Sequence, residues 1–393
     1  MNKAHARVKK KKKSDLDKYL KRFGKEYLSV SQKSTSFSQN IDSILKDFRN
    51  VYVVNSLAKY ANLLNFILGH YYFPDDTNEK IKIRDKYIFR GISNINQLKS
   101  KIRREEQFDF EQEMHFIRKF EENACMRLGQ FNNPIDLSSA AQHYGVYTRL
   151  IDWTYSPLIA TLFALYEPND NEDTHDYYAL LFHNSKKSII LHSLKEEKDN
   201  INSPLYLRYA FMMKEYQKLI TTCKSLPKLL REKLKCLEID KLDDFSFLSE
   251  EELNYKDSIE FIIDYFKNIN LKTDLKYLEK DDEVGHLENF KKILSRGTKI
   301  FLQTNYSNER IKTQRGLFEI DDMQGEASFC NTSIILISAS ARKEIIKYIN
   351  ILGINYYQLM DDPSNSSAVV NRTMKKELTF DNNIEDDNDE IFI

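Results

Sequence analysis

The chain has 393 residues, enough to bury one large hydrophobic core or two smaller ones. Its 59 basic and 59 acidic side chains cancel, so the net charge does not indicate a polyanionic partner. The four cysteines stand far apart, without the spacing of a zinc site or a disulfide framework. The N-terminal residues lack the apolar stretch of a signal peptide, and no apolar run is long enough to cross a bilayer. We therefore expect a cytoplasmic protein that contacts no membrane.

The two ends of the chain are strongly charged. Residues 1–40 are predicted to form a basic flexible arm, which begins with the lysine run 9–13 and either contacts nucleic acid or only aids solubility. Residues 366–393 are predicted to form an acidic flexible tail. Residues 41–85 are predicted to be a helical segment, because apolar side chains recur there every three to four positions.

The middle of the chain combines strand and helix patterns. Residues 86–190 begin with a short strand that ends at Gly91. They continue with a long amphipathic helix, a shorter helix that stops at Gly145, a strand over 146–152, a helix that starts at Pro157 and two further strands. Residues 191–300 are rich in Lys, Glu and Leu and are predicted to be a helical insertion, and residues 301–365 return to strand character. These patterns predict an α+β fold with a mixed sheet and flanking helices.

One stretch, "QHYGVYTRLIDWTYSP" (142–157), places charged residues in a strand-like pattern. Side chains alternate along a strand, so Thr148 and Asp152 are expected on one face and Arg149 on the other. A charge among apolar neighbours needs a partner. We expect Asp152 to cap the following turn by accepting N–H bonds, and Arg149 to bind a carboxylate or a phosphate.

These residues resemble a known family. "YIFRG" (87–91), the "QHYGVYTRLIDWT" block (142–154) and "RIKTQRGLFEI" (310–320) are similar to the motifs of the FRG domain, named for its Phe/Tyr-Arg-Gly triplet. The resemblance covers about 86–185 and 300–363. It implies a protein that is often bacterial and sometimes part of phage defence.

The order of the motifs is also similar to that of the ADP-ribosyltransferase fold, which implies a cleft for NAD. By this likeness Arg90 would hold the nicotinamide-ribose side, and Tyr144 or Thr148 would supply the middle motif. Gly91, His143 and Arg149 are further expected contacts to the nucleotide. Gln314, placed on one strand face with Gly316 and Phe318, would take the position of the catalytic acid. Cleavage of a glycosidic C–N bond favours a carboxylate there. Glu319 is expected on the face opposite Gln314. Either Gln314 only positions the ribose, or Asp152 contributes the carboxylate. The implied activity is ADP-ribosyl transfer to a protein or nucleic acid, or NAD cleavage.

Two alternatives remain open from the sequence. The chain is either a non-catalytic sensor of a nucleotide or a phage protein, or a metal-dependent nuclease built on His143 and Asp152. No metal site is predicted, since no paired His or carboxylate motif lies within the FRG-like blocks.

Overall fold

The computed structural model describes residues 45, 47–69, 87–93, 95–105, 109–128, 131, 133–166, 177–191, 203–236, 245–268, 291–295, 297–303, 313–321, 329–355 and 359. The predicted basic arm at 1–40 and acidic tail at 366–393 lie outside these residues.

Eight of the described segments form one mixed sheet. Its order is β1-β8-β4-β2-β3-β7-β6-β5, with parallel pairs at the two edges (β1 with β8, β5 with β6) and antiparallel pairs between them. The strands are β1 Val51–Val54, β2 Tyr87–Ile92, β3 Leu150–Thr154, β4 Tyr177–Asn184, β5 Ser188–Leu191, β6 Lys299–Leu302, β7 Gly316–Ile320 and β8 Thr332–Ser338.

Helices lie between these strands in the chain, which confirms the predicted α+β class. No helix within the described ranges is long and apolar enough to cross a membrane. The α-helices are α1 Leu57–Gly69, α2 Lys101–Arg104, α3 Phe110–Leu128, α4 Pro134–His143, α5 Pro157–Leu165, α6 Leu205–Ser225, α7 Lys228–Lys235, α8 Lys256–Asn268 and α9 Ala339–Ile351, with 3-10 turns at Ile95–Leu98, Ser185–Lys187 and Glu252–Tyr255.

The two faces of the sheet are covered differently. One face, which carries Phe89 and Phe318 and which we call the helix face, packs against α1, α5 and α9 on one half and against α3, α4 and α6 on the other. The opposite face, which carries Ile88 and Trp153 and which we call the loop face, is covered by shorter segments that contribute Phe48, Leu98 and Phe329. Because side chains alternate along each strand, neighbouring residues of β2 and β3 project to opposite faces.

Two strands were not predicted from the sequence. Residues 51–54 form β1 inside the segment predicted to be helical, because this β-branched run pairs in parallel with β8. Only the part from Leu57 onward is helical, as α1. Residues 299–302 form β6, which begins inside the predicted helical insertion and pairs with β5 and β7.

Candidate functional site

The connection from α4 to β3 begins at a glycine turn. Gly145 has φ +91°, a conformation that favours glycine, and α4 ends there as predicted. The amide of Val146 donates to the carbonyl of Ala141 at 2.9 Å, and that of Gly145 donates to Gln142 at 3.0 Å. This pair of bonds is the Schellman arrangement, which satisfies the last helical carbonyls.

The side chains after this turn form a small polar group on the helix face. Thr148 Oγ1 donates to Gln142 Oε1 at 2.5 Å, and Gln142 Nε2 donates to Asp152 Oδ1 at 2.9 Å. Thr148 is buried, whereas Asp152 is exposed. Tyr144 is exposed as well, against the half-buried ring of His143 at 5.0 Å. Gln142 therefore joins Thr148 to Asp152, whereas His143 and Tyr144 lie at the end of α4.

Asp152 does not cap the turn before α5, so that prediction is wrong. The turn is instead closed by Thr154, whose Oγ1 accepts from the amide of Ser156 at 3.0 Å and donates to the carbonyl of Gln314. Asp152 lies in the middle of β3, two residues too early to reach the turn. Ser156 caps α5 as the sequence indicates, by accepting from the amide of Ile159.

Arg149 is enclosed in the protein interior. It lies just before β3 and is 2% exposed, and its Nε donates to Glu113 Oε2 of α3 at 2.6 Å. Glu113 Oε1 also accepts from the backbone amide of Arg149 and from the hydroxyl of Tyr209. The ring of Phe110 covers the guanidinium at 4.5 Å. Arg149 therefore binds a carboxylate, the first of the two partners expected from the sequence, rather than the phosphate of a ligand.

Gly91 is required by helix packing. A Cβ atom built at this position would lie 1.7 Å from the carbonyl oxygen of Ala160 and 2.6 Å from the amide nitrogen of Ala164. Both atoms belong to the backbone of α5, which crosses β2 on the helix face. The close approach that Gly91 permits is therefore to the protein's own helix, which corrects its assignment to a nucleotide.

Arg90 projects to the loop face, opposite the side of the strand that Gly91 presents to α5. Its Nη2 donates to the carbonyl of Gln97, and it forms no ion pair with any described residue. Burial lowers the pKa of Arg90 to about 10, partly offset by the nearby carboxylates of Glu319 and Asp152. Arg90 thus remains charged at neutral pH.

Glu319 lies on the same face, two strands away from Arg90. Trp153 Nε1 donates to its Oε2 at 2.7 Å, and Lys299 of β6 forms a buried ion pair with its Oε1. The ammonium group of Lys299 also lies 5.1 Å from the ring centre of Phe329. Glu319 is therefore an oriented carboxylate held by a cation and an indole N–H.

His183 of β4 completes this group. Its ring lies 6.3 Å from that of Trp153, and its Nδ1 contacts the Thr332 hydroxyl at 2.8 Å. Its Nε2 is buried without a hydrogen-bond partner. Burial, together with the charge of Lys299, holds the pKa of His183 well below its usual value. We call Arg90, Trp153, His183, Lys299 and Glu319 the loop-face cluster.

Gln314 is held by the segment around Leu359. It lies in the turn before β7, next to Arg315 with φ +51°, and its Nε2 donates to the carbonyl of Leu359 at 2.8 Å. Since β7 begins only at Gly316, the predicted sharing of a strand face with Gly316 and Phe318 does not hold.

A cavity of about 250 Å³ opens beside the loop-face cluster, where β6 and β7 meet α6 and α7. We call it the β7 pocket. Lys299 and Glu319 belong both to it and to the cluster. The charges of Glu319 and Asp321, which line the pocket, raise the pKa of Arg90 and so act against the effect of burial. Its lining consists of Leu98, Arg103, Ile151, Tyr216, Ile220, Cys223, Lys224, Arg231, Ile293, Ser295, Gly297, Thr298, Lys299, Ile300, Glu319, Ile320 and Asp321.

The comparison with protein families matches the segment that contains β2, β3 and the helices between them. Residues 85–173 match the model of the FRG domain. The chain contains an FRG domain. No curated protein and no solved structure shows significant similarity to the chain. The matched part of the FRG domain includes Arg90, Asp152 and Trp153, whereas the walls of the β7 pocket come mostly from residues beyond the match.

The FRG-domain residues predicted from the sequence thus divide between the two faces. Asp152 and its neighbours lie on the helix face, Arg90 lies on the loop face, and Gly91 and Arg149 are used for packing and folding. Among the described residues, no group of three His, Cys, Asp or Glu side chains is placed to hold a metal ion. Sequence reasoning missed Lys299 and His183, and it discounted Glu319. A lysine at the start of an apolar strand, "KIFL", was the available signal for Lys299.

Proposed function

We propose that the FRG domain, together with the strands and helices around it, binds a phosphorylated nucleotide in the β7 pocket, with NAD as the expected ligand. The observation that carries this proposal is the composition of the pocket. Its lining has four basic side chains (Arg103, Lys224, Arg231 and Lys299) but two carboxylates (Glu319 and Asp321), a surplus of two positive charges. Such a surplus favours a phosphate-bearing ligand.

Apolar side chains provide the other half of the recognition. Leu98, Ile151, Ile293 and Tyr216 are among the residues that line the pocket. A flat base or a nicotinamide ring fits against such a wall, because it is apolar on its faces and polar at its edge. Known ligand pockets have volumes of roughly 300–1,000 Å³. A cavity of about 250 Å³ thus suits one nucleotide half of NAD, and the second half would extend through the mouth.

Arg90 supports the same ligand class. A guanidinium has five N–H donors, and Arg90 uses only its bond to Gln97 among the described residues. It lies close to Glu319 and Asp321, which line the pocket. Holding a charge half-buried without an ion pair is costly, and a bound phosphate would compensate it.

The position of the Glu319 carboxylate favours a second candidate function, in which the chain cleaves NAD and does not only bind it. In NAD cleavage the bond between ribose C1′ and nicotinamide N1 breaks, and nicotinamide leaves with the electron pair. Water or an acceptor group then bonds to C1′ and loses a proton. The ribose carbon gains positive charge on the way, and a fixed carboxylate beside it lowers the barrier. In this proposal Glu319 replaces both Gln314 and Asp152 as the acidic group.

Calorimetric titration of the full chain with NAD tests the binding proposal. We expect NAD to bind the wild type and to bind the Arg90→Met variant at least about tenfold more weakly, since a charge-assisted contact contributes about 1.5–3 kcal/mol. The control is Arg118→Met, an exposed arginine on α3 that lies outside the pocket lining. Failure of the wild type to bind, or equal binding by Arg90→Met, would contradict the proposal.

Release of nicotinamide separates turnover from sensing. Catalysis would be supported if the wild type releases nicotinamide and Glu319→Gln releases it at least tenfold more slowly while binding NAD with the same affinity. Binding without release would support a nucleotide sensor. Melting curves of Glu319→Gln and Glu319→Asp would show whether the loss of the Lys299 pair unfolds the chain.

A further inference from the structure

One guanidinium of the β7 pocket belongs to a part of the chain outside the FRG-domain match. Arg231 is on α7, which follows α6 after the short break at Leu226 and Pro227. The neighbours of Arg231 on the inner side of α7, Leu230 and Leu234, are buried in the core that α6 shares with the helix face. Arg231 is therefore fixed in position by the packing of its own helix.

The charge of Arg231 is not compensated within the described residues. Its side chain makes no hydrogen bond and no ion pair there, and its Nε atom is buried without a partner. The thiol of Cys223 lies beside it. Burial raises the pKa of Cys223 to about 12, and the charge of Arg231 acts in the opposite direction. A buried N–H donor without an acceptor is costly to the fold, and an anion bound in the pocket would supply the missing acceptor.

Both carboxylates of the pocket have other partners. Glu319 is held by Lys299 and Trp153. Asp321 accepts from Arg103 Nη1 at 3.1 Å and from the backbone amide of Ser100 at 3.1 Å. These pairings account for two of the basic groups and leave the charge of Arg231 for an anion that enters from solvent.

We propose that Arg231 binds the phosphate group of the ligand in the β7 pocket, and that it thereby selects phosphorylated nucleotides over unphosphorylated nucleosides. The planar guanidinium donates two parallel N–H bonds to two phosphate oxygens, which an ammonium group cannot do. The apolar wall contributed by Tyr216 and Ile220 of α6 receives the ring of the same ligand. The helices after the FRG-domain match are then part of the ligand site, and they set its preference. This inference rests on the proposed function.

Calorimetric titration with nicotinamide mononucleotide and nicotinamide riboside tests the role of Arg231, because the two probes differ only by the phosphate. We expect the full wild-type chain to bind the mononucleotide at least about tenfold more tightly than the riboside. Arg231→Ala should bring the ratio of the two affinities close to one, because only the binding of the mononucleotide becomes weaker. Arg231→Lys should recover part of it. The matched control is Lys228→Ala, an exposed basic residue on the same helix that does not line the pocket.

The possible results separate the two proposals. If the wild type binds neither probe and no NAD, the proposed function itself is overturned. If the wild type prefers the mononucleotide and Arg231→Ala keeps the same ratio, only the role of Arg231 is overturned. Melting curves identify an unfolded variant, and in that case Arg231→Lys, which retains the charge and most of the bulk, decides the question by its ratio.

Discussion

Arg149 lies just before β3 and Arg90 lies on the neighbouring strand β2, and their surroundings are opposite. Arg149 has a carboxylate within 2.6 Å, an aromatic ring over its guanidinium and almost no exposure. Arg90 is half-buried, with a single backbone acceptor and no ion pair among the described residues. The charge of Arg149 is thus balanced by Glu113 of α3. The loop-face cluster and the β7 pocket, in contrast, contain more basic than acidic side chains.

This difference shows how a structural arginine is distinguished from a binding arginine. The sequence motif contains both residues and gives them equal weight. What separates them is whether the fold provides a carboxylate, because a buried charge without one depends on an external anion. The free energy of unfolding should therefore respond differently to changes at the two sites.

Removing the partner of Arg149 should have the largest effect. Glu113→Ala leaves the guanidinium buried and uncompensated, and it also removes the acceptor for Tyr209. We expect the free energy of unfolding to fall by about 3–5 kcal/mol. Denaturant titration measures it, with Glu111→Ala, an exposed position on the same helix, as the control. A loss below about 1 kcal/mol for Glu113→Ala would show that Arg149 does not depend on this pair.

The loop-face cluster should respond to acid through His183. Its pKa is lowered in the folded state, so the unfolded chain binds a proton first as the pH falls. Stability is therefore complete above the unfolded pKa of about 6.5 and decreases below it. Between pH 7.5 and pH 5.5 the wild type should lose about 1 kcal/mol more than His183→Gln. His115→Gln, which changes an exposed histidine, should follow the wild type. Parallel pH profiles for all three proteins would contradict this expectation.

Arg90→Met should change the free energy of unfolding by less than about 1 kcal/mol, in either direction. The substitution removes a half-buried charge that has no ion pair in the described structure and keeps an apolar side chain of similar length on the loop face. Denaturant titration beside the calorimetric experiment would show whether folding and binding separate. A loss of about 3 kcal/mol would place Arg90 in the same class as Arg149.

Asp152→Asn should have the smallest effect, within about 0.5 kcal/mol. Asp152 is exposed, and an asparagine oxygen can still accept from Gln142 Nε2. Urea titration of this variant and of Thr154→Val makes the comparison. Thr154 closes the turn, so its variant should lose more, about 1–3 kcal/mol. The reverse order would restore Asp152 as the residue that stabilises the turn.

Local patterns were sufficient to predict most of the fold. Glycine at a helix end, Ser-Pro at a helix start and β-branched runs depend on neighbouring residues, so α4, α5, β2, β4 and β8 followed from the sequence. β1 was missed because its four residues continue a helical apolar spacing, and only the pairing with β8 makes them a strand. Long-range pairing of this kind is not visible in a local pattern.

The site was predictable only as a set of residue types. The alternation of side chains along β7 correctly placed Glu319 on the face opposite Phe318. The sequence could not show that Arg90 lies on the same face as Glu319. That depends on the order β2-β3-β7 in the sheet. The partner of Arg149 is 36 residues away, and Arg231 and Glu319 line the same pocket only because tertiary packing brings their elements together.

Gly91 has a consequence for the genetics of this protein. The atoms that exclude a side chain there are the carbonyl oxygen of Ala160 and the amide nitrogen of Ala164, and neither depends on which residues α5 carries. Replacing Ala160 or Ala164 by glycine would leave the obstruction in place. A defect caused by any larger residue at position 91 should therefore have no second-site suppressor among the side chains of α5.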